Sequence, residues 1–327
     1  IFSFLRRRKP IPEPWAKYYT KEELNIKIPD ISMYDQVKKS AHLYPNYIAY
    51  EYMGKKCLYK DFIEEINEWA KVFHSSGVKH GDIVTISLPN IPNVLVVLYA
   101  LNKMGAIANM VHPLSSEEEI LFSLNSTKSK YLVMLNTFYN KIENVIGKSN
   151  VDAVIFASAA DYMPIYMKLF YNLSQIGKYK KYPKNNMYYS WKKFYKKYYV
   201  TNHIKFPKFC KDTPAVIIHS GGTSGTPKNV VIQNRAFILG ALQENILMKN
   251  LHAGDCCLAI MPNFHGFGLS VLMHTPLALG CYSILIPQFD AKKFDIMFQK
   301  KKPSCVLGVP TLYEALISNN NVKKLDL

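Results

Sequence analysis

The feature that most limits what this chain can fold into is the alternation of short apolar runs with segments of helical periodicity. From Asp61 to Phe73 the residues Phe62, Ile63, Ile66, Trp69, Ala70 and Phe73 recur at helical spacing, and Gly77 follows as a stop. Gly81-Asp82 then turns the chain into IVTISL at 83–88, which reads as a strand. A second apolar helix is expected over 93–104 and a strand, AIANMV, over 106–111. Ser116 and Glu119 form a capping-box pattern that opens a helix to about Ser126. YLVML (131–135) and DAVIFA (152–157) read as further strands. The rhythm resumes with the strand AVIIHS (215–220), a helix over 234–250 and the strand CCLAIM (256–261). A helix from about 266, YSILI (282–286), a helix after Asp290 and SCVLG (304–308) continue it. Strands separated by helices pair in parallel, so the expected class is α/β, a mostly parallel sheet covered by helices.

Composition narrows the class further. Half of the 327 residues are apolar, which excludes a disordered chain. Six cysteines (57, 210, 256, 257, 281 and 305) show neither a CxxC pair nor zinc-ligand spacing, and several lie inside apolar runs. That pattern points to a reducing compartment rather than a disulfide framework, and the expected localisation is cytoplasmic. The formal net charge of +17 favours anionic partners such as nucleotides, CoA or acidic lipid. The chain opens on Ile1, so its natural start is expected upstream. Phe2, Phe4 and Leu5 precede Arg6–Lys9, the reverse of a signal peptide's order. The uncharged stretch from Gly266 to Phe289 is long enough to cross a membrane. His274, Pro276 and Gly280 interrupt it, and a buried helix followed by a buried strand fits better.

Residues 1–30, proline-rich and basic, read as an arm, followed by a first α/β subdomain over 31–211 and a second over 212–327. Residues 162–211 break the rhythm: they hold twelve lysines, ten tyrosines and no acidic residue. Interleaved aromatics and cations can stack on bases or lie on an anionic membrane surface. The plainer alternative, a lysine-bearing insertion whose aromatics pack on the neighbouring domain, weighs more, because neither a sustained amphipathic period nor a nucleic-acid module signature is present. No specific nucleic acid is expected, and peripheral contact with anionic membrane stays open.

The chemistry lies in HSGGTSGTPKN, residues 219–229. A strand delivers the chain to Ser220, Gly221, Gly222, Thr223, Ser224, Gly225 and Thr226, and Pro227-Lys228 follow. Glycines admit positive φ and keep side chains away from a ligand, so successive N–H groups can form an anion-binding concavity. The hydroxyls of Ser220, Thr223, Ser224 and Thr226 add donors, and Lys228 adds a full charge. The order is not that of a Walker A loop: Lys228 stands three residues after Gly225, with Asn229 where a magnesium-binding hydroxyl belongs. Nor is it GxGxxG, and on composition alone a polar surface turn explains it equally well.

Residue order separates the two readings. The string resembles the phosphate loop of the adenylate-forming (AMP-binding) superfamily, [ST]-[SG]-G-[ST]-[ST]-G-x-P-K-G, matched at Ser220 to Gly225, Pro227 and Lys228. Asn229 departs from its final glycine. MPNFHGFG (261–268) resembles the family's P-x-F-H-x-x-G stretch, and the segments 77–119 and 286–316 carry weaker likenesses, so the resemblance runs from about residue 30 to the end, apart from 162–211.

The resemblance implies the stacked, mostly parallel sheets of the family's large N-terminal domain. It also implies ATP, Mg2+ and CoA as cofactors, and a carboxylic acid joined first to AMP and then to a thiol. Ser220 to Thr226 and Lys228 are then expected on the ATP phosphates, with Lys228 the charge-stabilising catalytic group and Ser220 a candidate magnesium contact. Phe264, His265 and Gly266 are expected at the acyl and CoA pocket. The acceptor thiol stays open between CoA and a carrier protein, and a non-catalytic anion- or nucleotide-binding fragment is the reading from another class. The family's later motifs are expected beyond residue 327, which makes this an amino-terminal portion that by itself is expected to be inactive.

Overall fold

The computed structural model describes residues 13–220 and 227–325. The chain starts with helices α1 (Lys21–Leu24) and α2 (Met33–Leu43), then a hairpin of β1 (Ile48–Tyr52) and β2 (Lys55–Leu58). There follow α3 (Tyr59–Ser75), β3 (Ile83–Ser87), α4 (Pro92–Lys103), β4 (Ile107–Met110), α5 (Glu117–Thr127), β5 (Tyr131–Leu135) and β6 (Ala153–Ala157). Next come α6 (Ile165–Ser174), β7 (Tyr188–Ser190), α7 (Trp191–Tyr198), β8 (Pro214–Ser220), β9 (Lys228–Gln233) and α8 (Asn234–Leu247). The chain continues with β10 (Cys256–Ala259), a π-helix over Phe267–His274 running into α9 (Thr275–Ala278), β11 (Tyr282–Leu285), α10 (Phe294–Lys301) and α11 (Pro310–Ile317).

Among the described residues the strands form two sheets, ordered β7-β6-β5-β3-β4-β8-β9 and β10-β11-β1-β2. Pairing is parallel except where β9 folds back on β8 and β2 on β1. The α/β class expected from alternation is therefore the observed one. The sheets interleave along the chain: β8 and β9 lie past residue 211 yet complete the sheet begun by β3, while β1 pairs with β11, Tyr50 opposite Ser283.

Three segments differ from the sequence expectation. IAYEY and KKCL form a hairpin through Met53 and Gly54, both at positive φ (50° and 85°), the combination a tight primed turn requires. The stretch 162–211 does not break the rhythm; its second half continues it. Here β7 pairs in parallel with β6, and α7 returns Trp191 to stack on Trp69 at 3.7 Å while Phe194 is fully buried. The edge strand is only three residues long and the lysines of α7 lie on its outer side, which conceals the unit in the sequence. Conversely, SCVLG makes a single bridge, Cys305 to Cys257, before Pro310 opens α11.

The uncharged run 266–289 is a buried helix and a strand, and among the described residues no helix is long and apolar enough to cross a membrane. Its His274 is completely buried, with Nε2–H donating to Gln36 Oε1 (3.0 Å) and Nδ1 accepting from the Tyr99 hydroxyl (3.0 Å). That joins α2, α4 and the π-helix around one neutral imidazole, and burial pushes its pKa down to about 3. A depressed histidine pKa means that the unfolded chain binds a proton, below its ordinary value near 6.5, that the folded chain refuses. Stability from this site is thus complete above about pH 6.5 and lost as pH falls toward 3. In urea unfolding, His274→Gln should be clearly less stable than wild type at pH 7.5, and the gap should narrow steadily as pH falls to 4. A pH-independent gap would contradict the assignment.

Candidate functional site

Because β3, β4, β5, β6 and β8 are parallel, their carboxyl ends share one edge of the large sheet, where ligands of open α/β sheets bind. Ser220 ends β8, His112 follows β4, and Asn90 follows β3. The carboxyl end of β10, from the second sheet, delivers Pro262 to His265 to the same place.

Two carboxamides fix that meeting. Asn90 Nδ2 donates to the carbonyls of Ala259 (2.8 Å) and Met261 (2.9 Å), and its Oδ1 accepts from the Asn263 backbone N–H (3.1 Å) and Nδ2 (3.0 Å). Asn263 Nδ2 also donates to the carbonyl of Leu88 (2.8 Å). Both residues are buried, so these bonds hold the β3 and β10 exits together where water cannot compete. Gly268 completes the geometry: a Cβ there would lie 2.1 Å from the carbonyl oxygen of Pro262.

A second polar cluster lies beneath the end of β8. Asn109, in the middle of β4 and fully buried, donates to Thr85 Oγ1 (2.8 Å) and Ser123 Oγ (2.9 Å), and its Oδ1 accepts from His219 Nε2–H (2.7 Å). Thr85 and Thr127 each meet Ser129 Oγ, at 2.6 and 2.7 Å. The network ties β3, β4 and α5 to the residue before Ser220. Burial is the main force holding the His219 pKa below its ordinary value, against a hydrogen bond with Asn229 that raises it.

The resulting cleft is lined by His112, Glu119, His219, Ser220, Phe264 and His265, among others. The His112 and Phe264 rings lie 4.2 Å apart between centroids, and Phe264 and His265 4.7 Å apart. His112 Nδ1 accepts from the Leu114 N–H (2.8 Å), which leaves Nε2–H as a donor. Burial lowers the His112 pKa, as do the nearby His265 and Lys141, with Glu119 opposing. Against the cleft lies a larger apolar cavity of about 590 Å³, walled by Leu114, Leu135, Phe138, Ile260, Ile286 and Phe289. His112 and Phe264 line both spaces.

Of the residues anticipated from sequence, Ser220, Phe264 and His265 meet in this cleft. Lys228 is the first residue of β9, exposed and in register opposite Ser220, so the two are the legs of a hairpin. Asn229, where the family pattern has glycine, donates from Nδ2 to Ser126 Oγ on α5 (3.0 Å). Gly266 is exposed and does not line the cleft. Gly221, Gly222, Thr223, Ser224, Gly225 and Thr226 lie outside the described residues.

The family model of AMP-binding enzymes matches residues 37–327, nearly nine-tenths of the chain. The chain belongs to the AMP-binding enzyme family. It is 27% identical over 322 residues to the long-chain-fatty-acid–CoA ligase of Bacillus subtilis, covering 96% of this chain and 57% of the relative. It is 23% identical over 286 residues to 4-coumarate–CoA ligase 4 of Arabidopsis thaliana, covering 84% and 45%. The chain thus spans about half the length of the curated relatives it matches. Among solved structures, it superposes on a long-chain-fatty-acid–CoA ligase from Archaeoglobus fulgidus with a TM-score of 0.71 at 18% identity, covering 90% of this chain and 54% of that one. The anthranilate CoA ligase AuaEII, solved with anthranoyl-AMP, gives a TM-score of 0.75 at 17% identity, covering 93% and 54%. The expected stacked-sheet architecture of this family is therefore the observed one.

Sequence reading overlooked His112, His219, Asn90, Asn109 and Asn263 in this AMP-binding domain. The signal for Asn109 and His219 was present, since each is a polar residue inside an otherwise apolar strand and buried polar groups are the informative exceptions. Asn90 and Asn263 gave none, because their partners lie more than 160 residues away in sequence.

Gly268→Ala should destabilise the domain by on the order of 1–3 kcal/mol, since the new methyl meets backbone that cannot step aside. Gly266→Ala, whose Cβ would find Ile218 at an ordinary 4.0 Å, should be close to neutral. Urea denaturation of both variants checks the pair, and equal effects would contradict the placement.

Proposed function

We propose that the protein is an AMP-forming acid–thiol ligase that activates an apolar carboxylic acid with ATP and passes the acyl group to CoA. The observation that carries this reading is the junction at His112 and Phe264, where the cleft beside the phosphate hairpin adjoins an apolar cavity. A carboxylic acid with an apolar body fits such a junction, its tail in the cavity and its carboxylate toward the phosphates. By their names the relatives act on long-chain fatty acids and on 4-coumarate, acids of that description.

In the first step a carboxylate oxygen bonds to the α-phosphorus of ATP while the bond to the β-phosphate bridging oxygen breaks, and pyrophosphate leaves with the electron pair. In the second, the thiol sulfur bonds to the acyl carbon, the acyl–phosphate C–O bond breaks, and AMP leaves as the thiol proton passes to solvent. Negative charge shifts among phosphate oxygens in both steps, so fixed donors and cations accelerate them without any side-chain nucleophile. Ser220 supplies a hydroxyl at the end of β8, and Lys228, opposite it, supplies positive charge. The hydrogen bond to Asn109 gives the base of this hairpin a fixed anchor through His219. His265, its ring 4.7 Å from that of Phe264, would then border the meeting point of the acyl group and the incoming thiol.

Among the described residues no group of three or more histidine, cysteine, aspartate or glutamate side chains could hold a metal ion. A single hydroxyl at Ser220 fits magnesium that arrives on the triphosphate and keeps most of its ligands from phosphate and water. When bound there, the ion would neutralise phosphate charge.

The test is ATP–pyrophosphate exchange by the complete polypeptide with a panel of fatty and aromatic acids. Exchange that depends on an apolar acid is expected, and its absence with every acid would refute the reading. Lys228→Ala should slow exchange by roughly 100-fold with little change in KM for the acid, because the charge acts on phosphate. An unchanged rate would remove Lys228 from that role.

A further inference from the structure

Helix α6 has apolar surface on two sides, and the fold uses only one. Met163, Met167 and Tyr171 pack against the core. On the other side Tyr166, Leu169, Phe170, Leu173 and Ile176 follow helical spacing into the turn after the helix, with Ile165 at its start. These are not grazing exposures: Ile165 is 89% accessible, Ile176 74% and Phe170 70%. A contiguous apolar face of this kind on a water-facing helix marks an interaction surface.

Charge identifies the occupant. Lys168 on the helix and Lys178, Lys180, Lys181 and Lys184 just after it are exposed, and no acidic residue occurs between 162 and 211. Lys180 pairs with Glu143, while Lys168, Lys178, Lys181 and Lys184 form no salt bridge among the described residues. Exposed apolar side chains ringed by lysines are the pattern of a segment lying in the headgroup region of an anionic bilayer. The place in the fold agrees. The α6 segment leaves the carboxyl end of β6, at the same sheet edge as Ser220, and Phe138 borders both the apolar cavity and the depression formed with Lys178, Tyr179 and Lys180.

We propose that α6 and the lysine turn after it dock the protein on anionic phospholipid bilayers, with Leu169, Phe170, Leu173 and Ile176 entering the acyl boundary and the lysines among the headgroups. Docking itself does not depend on the acyl-activating reading. The benefit to substrate capture does, since docking brings the cavity beside the phase in which apolar acids dissolve.

Co-sedimentation of the protein with phosphatidylcholine vesicles, with and without phosphatidylglycerol, tests the proposal independently of any activity. Binding to the mixed vesicles, weakened by salt and weak on pure phosphatidylcholine, is expected. The double variant Leu169→Glu/Phe170→Glu should keep the wild-type urea midpoint, because neither side chain packs on the core, and should lose binding. Lys178→Gln, Lys181→Gln and Lys184→Gln should each reduce partitioning by about fivefold. Absence of binding by wild type, binding unaltered in the double variant, or equal binding to uncharged vesicles would overturn the proposal. So would a dimer in sedimentation velocity that Leu169→Glu/Phe170→Glu dissociates, since a second copy would then cover the face. The ATP–pyrophosphate exchange result stands or falls apart from all of these.

Discussion

The bond between Asn90 and Asn263 is the interaction on which the site depends. Two sheets that share no hydrogen-bonded strand meet at their strand ends, and these carboxamides hold them in register there. Four of the bonds centre on Asn90, two given and two received, so that side chain is fully satisfied in a place closed to water. Within this pair of carboxamides, Asn263 Oδ1 is the atom that finds no donor among the described residues. Removing the Asn90 carboxamide would take the donor from the Met261 carbonyl, and removing that of Asn263 would take it from the Leu88 carbonyl, at about 1–3 kcal/mol each. Either change would also release Phe264 and His265 from the cleft.

The Asn109 cluster does for β8 what that pair does for β10. A parallel sheet ends in backbone carbonyls and turns, which alone would allow the β8–β9 hairpin to drift. Seating His219 against Asn109 and Ser123 ties the residue next to Ser220 to three neighbouring elements. With both clusters in place, the hairpin legs and the aromatic junction become rigid parts of one edge. For the proposed acid–thiol ligase such anchoring matters, since small displacements of positioned groups are costly in catalysis.

Much of this was legible in the sequence, for a physical reason. Strands such as YLVML and AVIFA are buried on both faces and read as unbroken apolar runs, α3 repeats at helical spacing, and α4 is an apolar run too long for a strand. The hidden elements are those whose partners are remote or whose surfaces are exposed. Thus β1 is paired across more than two hundred residues with β11, β7 is a three-residue edge, and β9 is exposed along most of its length. At the candidate site, residue order singles out Ser220 and Lys228 only by resemblance, and in the fold they face each other across the base of a hairpin. The histidines and asparagines that position them are set by tertiary contacts, which carry no local periodicity.

The most direct test of the account is a crystal structure of the protein with a hydrolysis-resistant acyl-sulfamoyl adenosine carrying a long alkyl chain. The account predicts the sulfamoyl group between Ser220, Lys228 and His265, with the chain passing His112 and Phe264 into the cavity walled by Leu135, Phe138 and Ile260. Density for the analogue at another sheet edge, or an alkyl chain directed away from that cavity, would contradict it.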